Sequence, residues 1–363
     1  MNTLGRILRL TTFGESHGPY IGGVIDGCPP GVTIDLQAIR VALTRRKGIA
    51  GISTPRIEED EPQFISGILD GVTTGTPLTF LVPNQNQRSA DYFDISDLFR
   101  PSHADYTYYA KFGIRDYRGG GRASARETVV RVIAGTIAAG ILRSFGVSIH
   151  AFTSSLGSIA LPHPYLDELS PDELEENHRM GCPLLPYDNR MWELAQEIRN
   201  AGDSIGGVAS CRISGVPPGI GSPLYGKLSA RLSAGMMSIG AAVAFEMGDG
   251  IMLARMTGKD ANDPFGVDQK THEIYTLTNH SGGIQGGISN GMEIRFRTTF
   301  KPIPSIAVEQ QTVDIHRHSQ TLHIRGRHDA SVFPRVLPVV ESMAALVILD
   351  EMMINHSLHL SPQ

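Results

Sequence analysis

One short pattern occurs in both halves of the chain and constrains the fold more than any other feature. Residues 23–32 and 211–220 each consist of a β-branched run that ends in Gly-x-Pro-Pro-Gly. Proline fixes φ in such a turn and glycine relieves the bend, so each run is predicted to end at a tight corner. An amphipathic helix pattern follows each corner, over residues 35–47 and 224–239. The repetition predicts two related β-α units that pack as one pseudo-symmetric body.

Long apolar segments support this architecture. Residues 124–145 and 333–354 each predict a helix that is hydrophobic on all sides, so both helices should lie in the interior. Alternating or β-branched runs predict strands at 7–12, 64–69, 78–82, 208–213 and 292–299. We expect a single domain over residues 1–363, with related halves at about 1–150 and 200–356.

Two segments lack these periodic helix and strand patterns. Residues 162–189 are rich in proline and charge, and Ser170 with Glu173 has the spacing of a capping box, so we predict a peripheral insertion that contains a short helix. Residues 255–271 are polar and rich in glycine and aspartate without periodicity. This composition predicts a mobile loop, which is either a lid or a simple connection.

Charge and cysteine content narrow the functional classes. The net charge of -5 argues against a nucleic-acid binder, which needs a basic face. Of the 32 basic residues 26 are arginines, whose planar forks suit carboxylate and phosphate ligands, although codon bias explains this ratio equally well. The three cysteines form no C-x-x-C pair, the first ten residues do not resemble a signal peptide, and Glu341 and Asp350 interrupt the most apolar stretch. We therefore expect a cytoplasmic protein that does not span a membrane.

The segment Gly14-Glu15-Ser16-His17-Gly18 matches the G-x-S-x-G pattern of a nucleophile elbow. A serine hydrolase with Ser16 as nucleophile is therefore one candidate function. An elbow needs a helix directly after the serine, whereas Pro19 and a glycine-bounded strand pattern follow here. The alternative is that the glycines expose Ser16 and His17 in a site where His17 exchanges a proton near neutral pH.

A glycine-rich stretch carries the strongest sign of a binding site. Residues 119–121 are all glycine, and a helix pattern starts at once, with Ser124 and Glu127 in capping-box spacing. Free backbone N–H groups and the positive end of the helix dipole then face the same place. The surrounding charges come from Arg118, Arg122 and Arg126. These features predict an anion site, although neither the dinucleotide fingerprint nor the P-loop pattern is present.

Further histidines occur in turn-rich stretches. His103 lies in one of these, at 100–106, and four more lie near the C-terminus, at His316, His318, His323 and His328. The spacing of these four fits no known ligand frame and no cysteine accompanies them, so we predict no metal site. Asp329 follows in a glycine-led turn, Gly326-Arg327-His328-Asp329, where it is either a turn cap or a functional carboxylate.

Taken in order, the motifs G-E-S-H-G, R-P-S-H-A-D, R-G-G-G-R-A-S-A-R-E-T and G-R-H-D resemble the chorismate synthase family, over residues 4–353. The resemblance implies an α+β fold, a β-α-β sandwich with internal pseudo-symmetry, assembled as a homotetramer. It implies a carbon-oxygen lyase of the shikimate pathway that converts 5-enolpyruvylshikimate 3-phosphate to chorismate and phosphate by a 1,4-anti-elimination. The family requires reduced FMN without net redox change, and the sequence leaves open whether NADPH or an external reductant supplies the electrons.

The resemblance also assigns roles to single residues. It implies that His17 protonates the departing phosphate, that His103 tunes the charge of the reduced flavin ring, and that Asp329 assists removal of the substrate's ring proton. The implied substrate contacts are Ser16, Arg46, Ser124, Arg126 and Arg327. The implied flavin contacts are Arg122, Ala123, Ser124, Gly240, Ala241, Gly286, Lys301, Pro302, Ile303, Pro304, Ser305 and Arg327.

Some positions depart from the commoner family pattern. Gly51 stands where many members carry a further arginine that contacts the anionic ligand, so this contact must come from Arg45, from Arg56 or from nowhere. Other departures lie on the flavin side, at Ala123, Gly240 and Ile303-Pro304. A flavin site built from shape and backbone contacts tolerates such changes better than a network of side chains would.

Overall fold

Two antiparallel sheets of five strands each carry the fold, and each sheet comes from one half of the chain. This computed structural model describes residues 2–53, 59–85, 89–162, 169–175, 178–324 and 329–358. The strands of the first half are β1 Thr3–Leu4, β2 Arg9–Phe13, β3 Tyr20–Asp26, β4 Gln63–Ser66, β5 Ile68–Leu69, β6 Val72–Thr73 and β7 Leu78–Pro83. The first sheet has the order β1-β2-β3-β7-β4, and β5 pairs with β6 as a separate ribbon.

The second sheet lies in the part of the chain after helix α3, Thr128–Arg143. The strands there are β8 Ser148–Leu156, β9 Ile159–Ala160, β10 Gly207–Ser214, β11 Ala242–Met247, β12 Phe265–Val267, β13 Ile274–Thr276, β14 Ile284–Gln285, β15 Ile288–Ser289, β16 Ile294–Phe300, β17 Gln310–Val313 and β18 Ser319–Leu322. The order across the sheet is β9-β8-β10-β16-β11, which matches the first sheet except at one edge, where β9 follows β8 in the chain but β1 precedes β2. One edge strand of each sheet has a register shift against its neighbour. The shift follows Phe64 in β4 and Ala242 in β11. The other described strands form two-stranded ribbons.

Helices fill the space between the sheets. Their bounds are α1 Leu36–Arg46, α2 Asp105–Phe112, α3 Thr128–Arg143, α4 Pro171–Glu175, α5 Leu185–Asn200, α6 Leu228–Met237, α7 Gly258–Ala261 and α8 Leu337–Leu358. Helix α3 packs on α8, and α1 and α6 flank this pair. Gly135 of α3 lies directly against the backbone of Ser342 in α8, so the two helices approach too closely for a larger residue. None of the described helices combines the length and apolar composition that a bilayer crossing requires.

The two Gly-x-Pro-Pro-Gly corners have the same backbone conformation. Gly27 and Gly215 both have φ of 80°, and the closing residues Gly31 and Gly219 have φ of 82° and 97°. A left-handed conformation of this kind favours glycine. One helix follows each corner, α1 in the first half and α6 in the second. The predicted strand, corner and helix are therefore present at both places.

The predicted helix starts are less accurate than the predicted strands. The helices expected at 124–145 and 224–239 begin later, at Thr128 and Leu228, because short 3-10 turns precede both. The capping box predicted for Ser124 and Glu127 is wrong. The Ser124 hydroxyl accepts instead from the backbone N–H of Arg126, at 3.3 Å, and Glu127 forms an ion pair one turn onward in α3. The carboxylate of Glu127 binds Arg131 in α3 and therefore does not turn back to the backbone N–H of Ser124.

The segments 162–189 and 255–271, which lack a periodic sequence pattern, contain more regular structure than predicted. Within 162–189, Ser170 and Glu173 form the predicted capping box, with bonds of 2.8 and 3.3 Å. Residues 163–168 and 176–177 lie outside the described part of the chain, whereas Met180 and Cys182 are buried in the central core. The segment 255–271 contains α7 and β12, and β12 pairs with β13. Strands of three residues are too short to produce a detectable period.

A buried carboxylate on α8 holds the N-terminal residues against the core. Asp350 is 1% exposed and accepts the backbone N–H groups of residues 6–8 at 2.8 to 2.9 Å. It also pairs with Arg231 at 3.0 Å. Asp350→Asn removes the charge and turns an amide donor towards these donors, so we expect the free energy of unfolding to fall by about 3–5 kcal/mol in urea titrations.

The matched control is Asp26→Asn, because Asp26 forms an ion pair with Arg9 and is 43% exposed. We expect this change to cost less than about 1 kcal/mol. Equal losses of stability in the two variants would contradict the anchoring role of Asp350.

Candidate active site

The turn at residues 14–18 connects β2 to β3 and buries both of its central polar side chains. Ser16 is 1% exposed and His17 is 6% exposed. Asn84, directly after β7, holds the turn in place: its side-chain amide donates to two carbonyl oxygens of the turn, at 3.0 and 2.8 Å. The conformation of the turn therefore depends on a residue from a different strand of the sheet.

The surroundings of Ser16 differ from those of a nucleophile elbow. A strand follows the turn, Tyr20–Asp26, where an elbow requires a helix. The Ser16 hydroxyl donates towards the backbone carbonyl oxygens of Arg118 and Gly119, each at 3.4 Å. Ser16 therefore contacts the glycine-rich stretch.

The glycine-rich stretch lies against both predicted histidines. Gly119, Gly120 and Gly121 all have positive φ, at 61°, 86° and 53°. A Cβ on Gly119 would lie 2.5 Å from Nε2 of His17, and one on Gly120 would lie 3.2 Å from Nε2 of His103. Consecutive glycines thus bring together two histidines that are far apart in sequence.

We expect Gly119→Ala to lower turnover by about 100-fold, because the added methyl group displaces the His17 ring. Gly113→Ala is the matched control. Gly113 also has positive φ, at 72°, but no described atom lies within 4 Å of the position that a Cβ would take. Both variants carry about 1–2 kcal/mol of backbone strain, so urea titration should show similar losses of stability. Equal loss of turnover in both variants would argue against a role for the His17 position.

His103 belongs to a buried ion-pair network at the start of α2. Its Nδ1 lies 3.0 Å from Oδ1 of Asp105, which also contacts Arg100 at 2.8 Å and Arg115 at 3.1 Å. Burial lowers the pKa of His103, and the two guanidinium groups add to this effect while Asp105 opposes it. The ring is therefore neutral at neutral pH. Nδ1 faces the carboxylate of Asp105, so Nε2 is directed at the glycine-rich stretch.

Two predicted substrate arginines meet at one carboxylate. Arg46 and Arg126 are each 5% exposed, and Asp60 between them is 3% exposed. Asp60 lies 2.7 Å from Nη2 of Arg46 and also pairs with Nη1 of Arg126. Nε of Arg126 donates to the Asn84 side-chain oxygen at 2.8 Å. Because Asn84 also holds the turn at 14–18, these groups form one connected structure. We call it the histidine–arginine cluster, and its members are Ser16, His17, Arg46, Asp60, Asn84, His103, residues 119–121 and Arg126.

The Arg46 side chain in this cluster has a donor without a described hydrogen-bond partner. Nε of Arg46 is buried, and no described group accepts a hydrogen bond from it. A buried charged donor without an acceptor costs free energy, so native structures rarely leave one in place without a functional reason. The position is suited to an anionic ligand.

The other arginines around the glycine-rich stretch have different partners. Arg118 pairs with Asp116 at 2.8 Å and is 43% exposed. Arg122 donates to the Thr12 hydroxyl at 2.6 Å, so its guanidinium ties the stretch to β2. The predicted anion site around Arg118, Arg122 and Arg126 thus retains only Arg126 in the cluster, and a flavin contact from Arg122 would have to use its backbone.

Asp329 has an ion-pair partner that the sequence analysis did not assign to the site. It pairs with Arg335, whose Nε donates to the backbone carbonyl oxygen of Arg46 at 3.3 Å. These contacts connect Asp329 to the end of α1. The predicted residue Arg327, and His328 beside it, lie outside the described residues. Within the described ranges, no group of histidines, cysteines and carboxylates has the arrangement of a metal site.

Several predicted flavin residues converge on the His103 stretch. Nζ of Lys301 donates to the carbonyl oxygen of Ser102 at 2.7 Å, and Arg100 contacts the Ser305 hydroxyl at 3.4 Å. The backbone N–H of Lys301 donates to the carbonyl oxygen of Ala241 at 2.9 Å. The segment after β16 and the segment after α6 therefore meet beside His103.

Gly286 does not join this group within the chain. It connects β14 to β15 at the N-terminal end of α6, where Leu228 donates to the carbonyl oxygen of Gly287 at 2.8 Å. Gly240 follows the C-terminal end of the same helix. Ten residues separate the two ends, or roughly 15 Å of helix. The sequence analysis could not detect this separation because it depends on tertiary structure.

The structure accounts for the glycine at position 51. Gly51 has φ of 107°, and a Cβ there would lie 2.8 Å from the ring of Trp192. An arginine in this position would have to displace that ring. Of the two proposed substitutes, Arg45 donates two hydrogen bonds to Glu341, at 2.6 and 2.8 Å, and Arg56 lies outside the described residues.

Four residues that position the site were not predicted from the sequence. Asn84 is detectable as the first polar residue after an apolar strand, and Asp105 stands in the same short motif as His103. Arg335 lies just before the last long helix, close in sequence to Asp329. Asp60 has no sequence signal, since it lies in a segment without periodicity.

Comparison with known proteins gives one consistent result. Residues 8–353 match the family model described as chorismate synthase. A chorismate synthase of Porphyromonas gingivalis is 50% identical over 98% of this chain and 97% of its own length. One of Parabacteroides distasonis is 51% identical over 98% of both chains. A crystal structure of chorismate synthase superposes with a TM-score of 0.76 at 28% identity, covering 97% of this chain and 93% of its own.

Proposed function

The chain belongs to the chorismate synthase family, and on that premise we propose that the histidine–arginine cluster is the site where phosphate is eliminated from 5-enolpyruvylshikimate 3-phosphate to give chorismate. The observation that carries this proposal is the unpartnered Nε of Arg46 inside a buried, positively charged cluster. The substrate carries two carboxylates and a phosphate. Guanidinium groups held rigidly in a buried site bind such anions more strongly than mobile surface lysines do.

The proposed substrate contacts come from residues on two sides of the glycine-rich stretch. Arg46 and Arg126 would contact the anionic groups, and Ser16 would add a hydroxyl. Ser124 lies between the 3-10 turns before α3 and would add another. Arg327 completes the proposed set by family resemblance alone.

Proton transfer is assigned to two residues. His17 would donate a proton to the phosphate oxygen as the carbon-oxygen bond breaks, which prevents the build-up of charge on the leaving group. Asp329 would assist removal of the ring proton, and the electrons of that carbon-hydrogen bond then form the new double bond. Arg335 would keep Asp329 in place.

The residues beside His103 fit a flavin. Gly240 has no described atom within 4 Å of a Cβ position, and Ala241 has positive φ, at 69°, which is unusual for alanine. Reduced FMN, when bound, supplies electron density that promotes departure of the phosphate. Neutral His103 would face its ring. Backbone atoms of Arg122 and Ala123 would complete the contacts, together with Ser124, Gly240, Ala241 and 301–305. NADPH is one possible source of electrons and an external reductant is the other.

We also propose that the two halves descend from a duplicated unit. The strand orders β2-β3-β7-β4 and β8-β10-β16-β11 correspond position by position, and only the outermost strands β1 and β9 differ in their place along the chain. A Gly-x-Pro-Pro-Gly corner follows the central strand of each sheet, and the edge strand of each carries a register shift. These correspondences support internal pseudo-symmetry.

The proposed assembly is a homotetramer in the cytoplasm. Apolar side chains are exposed along edge strand β11 and the segment after it. Val243 is 50% exposed, Ile251 is 67% exposed and Phe265 is 66% exposed. An apolar surface of this kind suits contact with a second copy of the chain. Light scattering at micromolar concentration tests the assembly.

Calorimetry with 5-enolpyruvylshikimate 3-phosphate tests the proposed site. We expect saturable binding of about one substrate per chain, and weaker binding at high salt because the contacts are ionic. Absence of binding, or stoichiometric labelling of Ser16 by a fluorophosphonate, would favour the serine hydrolase instead.

A further inference from the structure

Asp60 occupies an unusual position in the cluster. Its backbone has φ of 55°, in the left-handed region that residues other than glycine rarely adopt. Its side chain is 0% exposed and lies between the guanidinium groups of Arg46 and Arg126. Backbone strain of this kind persists where surrounding contacts enforce it, and it is common at functional sites.

Electrostatics explains what this arrangement achieves. Two guanidinium groups that are buried together lose hydration and repel each other. Asp60 removes this conflict by binding one nitrogen of each, which leaves a net charge of +1 on the three side chains. Burial raises the pKa of Asp60, but the charges and hydrogen bonds of Arg46 and Arg126 outweigh burial and hold this pKa below its usual range. Asp60 is therefore ionised at any pH where the protein works.

The bonds to Asp60 leave other arginine donors available. Nη2 of Arg46 is committed to Asp60, whereas Nε of Arg46 has no described partner. Arg126 uses one N–H of each of its nitrogens, on Asp60, Asn84 and the carbonyl oxygen of Pro83. Five donors per guanidinium leave each arginine able to bind a ligand while Asp60 holds it.

We propose that Asp60 is a positioning residue that couples Arg46 and Arg126 into one anion-binding unit. This inference rests on the proposed function, because it assumes that both arginines contact the substrate. Asp60 itself does not touch the substrate. Its contribution is to fix the spacing and orientation of the two guanidinium groups.

The separate effects on KM and kcat provide a specific readout. Burial is the largest influence on the Arg46 pKa and lowers it, the nearby charges of Arg335 and Arg126 lower it as well, and Asp60 opposes them. Asp60 orients both guanidinium groups and does not touch the reacting atoms. Its replacement should therefore weaken binding of the anionic substrate more than it slows the chemical step, whereas a general loss of structure would lower the amount of active protein and leave KM unchanged.

The experiment compares KM and kcat of the wild-type protein, Asp60→Asn and Asp60→Glu, each with reduced FMN. In Asp60→Asn we expect KM to rise by about 10- to 100-fold, with a smaller change in kcat. In Asp60→Glu the charge persists but is displaced by one methylene group, so KM should still rise about tenfold or more. Glu61→Gln is the control, since Glu61 pairs with Arg40 at an exposed site, and it should match the wild type.

The outcomes separate the two claims. An active wild-type protein and an Asp60→Asn variant with the wild-type KM would overturn the role of Asp60 and leave the proposed function intact. If Asp60→Asn does not fold, an unchanged KM in Asp60→Glu overturns the role instead. A wild-type protein that binds no substrate and produces no chorismate would overturn both.

Discussion

We expect His17→Ala to lower kcat for the elimination by about 100- to 10,000-fold, the usual contribution of a general acid. The His17 ring is buried between Gly119 and Tyr92, with the tyrosine ring centre at 5.4 Å. It is thereby held in one orientation within the cluster. Without the imidazole, the departing phosphate must leave as a more highly charged anion, and the barrier rises. Stopped-flow absorbance of chorismate formation measures the loss.

The affinity for FMN distinguishes a catalytic role of His17 from a structural one. Most of the proposed flavin contacts come from the segments after α6 and β16, and those of Arg122 and Ala123 use backbone atoms, so His17→Ala should bind FMN with nearly wild-type affinity. His356→Ala, at the exposed end of α8, is the control for histidine removal and should be fully active. Wild-type turnover in His17→Ala, or loss of FMN binding with unaltered turnover at saturation, would exclude His17 as the acid.

The second large effect is expected for Arg46→Gln, which should lower kcat/KM by about 100- to 1000-fold. Arg46 contributes one of the two positive charges that Asp60 partly neutralises. Without Arg46, the charge of Asp60 cancels that of Arg126, and the buried site no longer attracts an anion. Because a glutamine side chain still fills part of the space, packing changes less than charge does. Steady-state kinetics with varied substrate measures the change.

Arg40→Gln is the control on the same helix. Arg40 is 53% exposed and pairs with Glu61 on the surface of α1. Loss of that exposed pair should leave kcat/KM unaltered and change stability by less than about 1 kcal/mol. If Arg40→Gln and Arg46→Gln lose activity equally, a general effect on α1 explains the loss and the substrate contact is refuted.

Local sequence patterns predicted the parts of the molecule that depend on neighbouring residues. The corners at Gly27 and Gly215 follow from the conformations of glycine and proline, and helices α3 and α8 follow from long, predominantly apolar segments. Three successive glycines predicted an unusual backbone conformation at residues 119–121, and all three have positive φ. These features can be predicted without knowing which residues pack against them.

Contacts between distant segments were not predictable in the same way. Asp60 meets Arg126 across 66 positions of sequence, and nothing near either residue indicates the pairing. The capping box at Ser124 failed because Glu127 has a better partner within α3. Gly286 was grouped with Gly240 by resemblance, and the length of α6 separates them in space. Helix α5 was missed because it begins within a segment whose proline and charge content indicated an insertion.

The most direct test of the account is an anaerobic end-point assay with the protein, chemically reduced FMN and 5-enolpyruvylshikimate 3-phosphate. It quantifies chorismate, phosphate and oxidised flavin together. We predict equal amounts of chorismate and phosphate, with the flavin still reduced at the end, and no product when FMN is supplied oxidised without a reductant. Product formation with strictly oxidised flavin, or consumption of one reduced flavin per chorismate, would contradict the proposed chemistry.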